Sequence, residues 1–104
     1  MPAIPATEIA DLLRAVARGE RVAQLADRNF SWDGVYAGDV AFKISGYRIV
    51  IFNDCDEVDY VDSAVSPDRR RSDYNDWMAA GADPIDLLEQ EEREALLRVL
   101  KKIA

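Results

Sequence analysis

Apolar residues recur at Ile9, Leu12, Leu13 and Val16, the i, i+3, i+4, i+7 spacing that gathers side chains on one face of a helix. This spacing predicts a helix over residues 7–18. Thr7 is placed to cap it, Glu8 and Asp11 complement the positive end of its dipole, Arg14 and Arg18 suit the last turn, and Gly19 stops it. Residues 20–33 are ambiguous: Val22, Leu25 and Ala26 allow a short second helix, while Asn29 to Gly34 reads as loop. The period then changes from 3.6 to 2. Val40, Phe42 and Ile44 alternate with Ala41 and Lys43, as in a strand with one buried face. Ser45-Gly46 suits a two-residue hairpin turn. Tyr47 to Phe52 is apolar at nearly every position, the pattern of a central strand covered on both faces. After turn chemistry at Asn53 to Asp56, Val58 and Tyr60 open a third strand reaching about Val65, and Ser66-Pro67-Asp68 ends the sheet.

The last third returns to helical spacing. Tyr74 to Ala80 predicts a short helix closed by Gly81. Asp83-Pro84 is an N-cap followed by proline at the first helical position. Ile85, Leu88, Leu96, Val99, Leu100 and Ile103 line one face of a helix running to the end. The acidic stretch Glu89 to Glu92 interrupts that stripe and predicts a break near residue 89. With no internal repeat and no low-complexity linker, 104 residues are expected to form a single globular domain, 1–104. Its expected class is α+β: a three-stranded antiparallel meander with an N-terminal helix and one or two C-terminal helices packed on the sheet, in the order αβββα.

Charge narrows the function classes. Twenty acidic against thirteen basic residues give a formal net charge of −7, a field that repels nucleic acid and anionic lipid and attracts basic proteins or cations. Direct nucleic-acid binding and membrane association are therefore not expected. No apolar run approaches the ~18 residues of a membrane span. The first residues lack a basic and apolar leader pattern, and a single cysteine suits a reducing cytosol. These features make the expected location cytoplasmic. There is no histidine, which excludes Ser-His-Asp and Cys-His chemistry, and no zinc ligand set or glycine-rich phosphate loop is present. The chain is thus expected not to be an enzyme and to carry no cofactor.

What remains is a concentration of carboxylates. Asp54, Asp56, Glu57, Asp59 and Asp62 fall within nine residues with no Lys or Arg among them. Strand alternation places Glu57 and Asp59 on one face and Asp56 and Asp62 on the other with Val58 and Tyr60. Four readings compete: a docking surface for a basic partner, a divalent-cation site, a carboxylate pair for acid–base work, and solvated edge residues that block aggregation. As an EF-hand loop the segment fails, since Asp59 stands where glycine is required and Val65 where the bidentate glutamate belongs. Asp73, Tyr74, Asp76 and Trp77 form a second candidate surface, because aromatic residues framed by acids are common at interface centres. Trp77 packed in the core is the competing reading, and Trp32 has the same two readings. Arg69-Arg70-Arg71 reads as a loop paired with neighbouring acids. Cys55 lies between Asp54 and Asp56, which disfavour a thiolate, and reads as inert.

The stretch from Ile51 to Asp62, IFNDCDEVDYVD, followed by Ser66-Pro67-Asp68, resembles a segment of small uncharacterised acidic bacterial proteins. The resemblance extends through Asp83 to Leu88 to the C-terminus and implies no activity. In size and charge the chain is also similar to phage-encoded inhibitors, anti-CRISPR proteins and toxin-immunity proteins, an analogy of class alone. The expected function is a small binding module of inhibitor or immunity type. Its carboxylate face would engage a basic protein, including one that normally holds nucleic acid. The alternatives are a divalent-cation carboxylate site of structural or catalytic role, and a structural subunit or homodimer whose acids serve only solubility.

Overall fold

Ile9, Ala10, Leu13 and Val16 are buried along one face of helix α1 (Ala6–Ala17), as their spacing requires. In this computed structural model, which describes residues 2–103, that stripe joins one hydrophobic core with Val40, Phe42, Ile44, Ile49, Ile51 and Val61 of a sheet. The sheet has five antiparallel strands in sequential order: β1 (Ala23–Leu25), β2 (Ala37–Ile44), β3 (Tyr47–Asp54), β4 (Val58–Val65) and β5 (Arg71–Asp73). Helix α2 (Tyr74–Ala80), a 3-10 helix (Pro84–Leu87) and helix α3 (Gln90–Lys101) follow. Trp77, Ile85, Leu96 and Leu100 enter the same core. All helices therefore back one face of the sheet, and the class is α+β.

The expected three-stranded meander is its central part, and two short strands extend it. Residues 20–33 do not form a second helix. Ala23, Gln24 and Leu25 pair with Ile44, Lys43 and Phe42 instead, and Val22 is left largely exposed. Nor does Ser66-Pro67-Asp68 end the sheet. The Ser66 hydroxyl accepts from the Arg70 amide (2.9 Å), Arg69 takes a positive φ of 68°, and the chain reverses into β5. The β2–β3 hairpin turns at Ser45-Gly46 as expected, with both residues at positive φ (51° and 82°), the type I′ geometry that matches strand twist. Thr7 is not the cap of α1. Pro5 holds that position without a side-chain bond. The C-terminal stripe is broken, as the acids predict: the 3-10 helix ends at Leu87 and Glu89 starts α3, with Glu92 accepting from its amide (2.8 Å).

Two further differences concern the face of the sheet away from the helices. First, β3 is not covered on both faces. Ile49 and Ile51 lie in the core, whereas Val50 is buried without belonging to it, and Arg48, Val50 and Phe52 point to a face that no helix covers. Second, β4 does not alternate regularly. Its register against β3 shifts twice, so that Val58 faces Asn53, Tyr60 faces Phe52, Val61 faces Ile51 and Ser63 faces Val50. Asp59 and Asp62 are the extra residues of two bulges. Val58 and Tyr60, expected on one face, therefore lie on opposite faces. Val58 packs toward the core and Tyr60 stands beside Phe52 on the open side.

Candidate functional site

The acidic segment begins at a buried amide. Asn53, at 2 % exposure, donates to the carbonyls of Trp32 (3.1 Å) and Val35 (2.6 Å) and accepts from the Asp56 amide (2.8 Å). It thereby fastens the loop before β2 to the β3–β4 hairpin. Asp54 and Glu57 exchange both backbone bonds around Cys55-Asp56, and those two residues adopt φ of 51° and 72°. This is a second type I′ turn, built without glycine. The Cys55 amide donates to the Tyr36 carbonyl (3.0 Å), which helps hold the strained conformation in place.

Several of the candidate acids turn out to hold the fold together. The Asp56 carboxylate accepts from the Trp32 indole (3.1 Å) and from Lys101 near the end of α3 (2.8 Å). The Lys101 bond holds its carboxyl below the usual carboxylate range, with the indole adding to the effect. Asp73 and Asp76 cap α2 reciprocally, each side chain accepting the other's amide (3.0 Å). Trp77 is fully buried, and its indole donates to the Ile4 carbonyl (2.8 Å). It is a core residue and not an interface anchor, and Trp32 is buried likewise. Glu57 is separated from the others in a shallow hollow of about 270 Å³ beside Val58, Arg93 and Leu97. Asp54 is exposed at the hairpin end. Of the run Arg69-Arg70-Arg71, Arg70 is tied to Glu8 (2.7 Å) and Asp68 (3.0 Å), whereas Arg69 and Arg71 form no ion pair among the described residues and Arg71 lies in β5, not in a loop.

Asp59, Asp62 and Tyr74 remain, and the structure gathers them around an aromatic ladder on the open face. Phe52 and Tyr60 stack with ring centroids 5.1 Å apart and planes 4° from parallel. Tyr60 meets Tyr74 at 4.6 Å in a tilted contact. Beside this ladder is a hollow of about 380 Å³ bordered by Phe30, Asp39, Arg48, Val50, Asp62 and Ser63. Partial burial raises the Asp39 carboxyl, and the charge of Asp62 adds to it. The Tyr60 phenol is raised by burial first, then by Asp39, Asp62 and Asp59. Among the described residues, Asp39, Asp59 and Asp62 form no ion pair.

Asp39 was not among the sequence candidates, although its signal was there. It shares parity with Ala41 and Lys43, opposite Val40 and Phe42, which sets it on the outward face of β2. No three His, Cys, Asp or Glu side chains among the described residues converge as a metal site. No helix among them is long and apolar enough to cross a membrane.

A family model matches residues 3–102. The chain belongs to the family described as Domain of unknown function (DUF7693). This match spans nearly the whole chain, further than the segment and C-terminal stretch on which the resemblance rested. No curated protein and no solved structure matches.

Proposed function

We propose that this DUF7693 chain is a non-catalytic, cytoplasmic binding module of inhibitor or immunity type that docks a basic protein on the open face of its sheet. The observation that carries the reading is the group of Asp39, Asp59 and Asp62 around Phe52, Tyr60 and Tyr74, acids that form no ion pair among the described residues. Like charges held together without a counter-ion store repulsion that an incoming cation relieves. Arginine and lysine are also drawn to aromatic faces, by about 0.5–2 kcal/mol per contact. Trp77 is buried and leaves the candidate surface, while Asp56, Asp73 and Asp76 stay exposed but are engaged in bonds within the chain. Asp54 extends the acidic end of the face. The divalent-cation alternative finds no converging ligand set among the described residues.

The test is affinity capture from host lysate at low salt with three baits: the natural chain, an Asp39→Asn/Asp59→Asn/Asp62→Asn variant, and a Tyr60→Ala variant. A basic protein retained by the first and lost from the other two supports the reading. Equal recovery on all three sinks it.

A further inference from the structure

The open face is ordered along its strands. Cross-strand register places Asp39, Phe52 and Tyr60 in one row, with Tyr74 against Tyr60. The next row is Ala41, Val50, Ser63 and Asp73, and the third is Lys43, Arg48, Val65 and Arg71. One end is acidic and aromatic, the middle is small except for Asp73 at its β5 end, and the other end is cationic. Among the described residues Lys43, Arg48 and Arg71 form no ion pair, so both ends of the face carry unspent charge.

We infer that this face is self-complementary and that two copies of the chain pair through it, sheet on sheet. A two-fold axis lying between the sheets, perpendicular to the strands and over the middle row, keeps each strand above its own copy and reverses the row order. Asp39 then meets Lys43 of the second copy. Phe52 meets Arg48, a cation over an aromatic ring, and Tyr74 meets Arg71. Ala41, Val50 and Ser63 cross at the axis, where small side chains let sheets approach the ~10 Å of ordinary sheet packing, and Asp73 at the β5 end of that row faces its own copy as the one like-charged pair. The alternative axis, parallel to the strands, would set the cationic row of one copy against the cationic row of the other, with Arg48 facing its own copy, and is repulsive. At strand spacings of ~4.8 Å and rises of ~3.3 Å per residue, the face offers roughly 500 Å² per copy, and thus roughly 1,000 Å² in total. That lies at the lower bound for a specific contact and describes a reversible dimer. Two chains of net charge −7 repel at long range, but about 0.15 M salt screens this beyond ~8 Å. The adjacent pairs are screened far less.

A basic partner and a second copy would compete for this face, yet pairing can be measured with no partner present. Failure of this inference is therefore distinct from failure of the proposed function. The experiment is sedimentation equilibrium at 0.15 M salt over a wide concentration range. It uses the natural chain, Lys43→Glu, Asp39→Lys, and an equimolar mixture of these two variants. The natural chain is expected to dimerise, and each variant alone to weaken dimerisation by about tenfold or more, as loss of close charge complementarity requires. The mixture is expected to recover the dimer, because each variant supplies the charge the other needs. Recovery also shows that both variants are folded. A natural chain that stays monomeric at every concentration, variants that dimerise undiminished, or a mixture that stays dissociated would each overturn the inference.

Discussion

Asn53 and Asp83 show how much of this molecule rests on single buried polar side chains. Asn53 satisfies two carbonyls and one amide at once, and removing it strands all three. Asn53→Ala is expected to cost about 2–4 kcal/mol in urea denaturation, since each buried group left without a partner costs about 1–3 kcal/mol. Asp83 accepts from the amides of Val61 (3.0 Å) and Ile85 (3.0 Å), while its second oxygen has no partner among the described residues. Burial pushes its carboxyl up to about 6 despite those two bonds. A carboxyl raised above its unfolded value stabilises the fold fully below that value, near 4, and loses the contribution as pH rises through 6. This contribution should therefore decline between pH 4 and 7, by at most about 3 kcal/mol. Asp83→Asn should flatten that part of the natural chain's stability–pH profile; an unchanged slope would contradict the assignment. Glu8, held low chiefly by its bonds from Arg70 and Tyr47, acts in the opposite sense and loses its contribution on acidification below the usual carboxylate range. The acids also separate by mutation. Asp62→Asn should leave the melting temperature unchanged or raise it, because it relieves repulsion with Asp39. Asp56→Asn should lower it by loosening Trp32 and Lys101.

At the scale of elements, local periodicity made the main structures legible and hid the details that build the surface. Helix α1 and the β2–β3 hairpin follow from the spacing of Ile9 to Val16 and from Ser45-Gly46. Strands β1 and β5 do not: Ala-Gln-Leu and Arg-Ser-Asp have no intrinsic strand signal and are recruited by edges of the longer strands. The bulges at Asp59 and Asp62 defeated face assignment, because one inserted residue flips every side chain beyond it. Burial of Trp77 and the reciprocal capping by Asp73 and Asp76 depended on the path of the chain through α2, which residue type alone does not reveal. The segment from Asn53 to Asp56 was conspicuous in sequence for its charge, but Asn53 and Asp56 serve as fastenings. One consequence is local to the β3–β4 turn. Cys55 holds a positive φ on an exposed turn, a conformation that asparagine tolerates better. Cys55→Asn is expected to stabilise by about 0.5–1 kcal/mol in thermal melts.

At the scale of the whole molecule, the helices back one face of the sheet and leave the other open, edged by the loop residues Asp27 and Phe30 and by Tyr74, with charge sorted along the strands. An antiparallel sheet can face water on one side; here that side also carries an aromatic ladder beside carboxylates that form no ion pair among the described residues, the feature on which the proposed docking rests. Binding there should depend on salt, weakening sharply between low and moderate ionic strength as screening shortens the reach of the acids. The most direct test is an amide and side-chain NMR titration of the ¹⁵N-labelled chain with a short arginine-rich peptide, at a concentration where copies do not pair. The account predicts shifts confined to Asp39, Phe52, Tyr60, Asp62, Ser63 and Tyr74, abolished in the Asp39→Asn/Asp59→Asn/Asp62→Asn variant. Shifts centred on the Cys55 turn or on α3, or the same shifts in that variant, would contradict it.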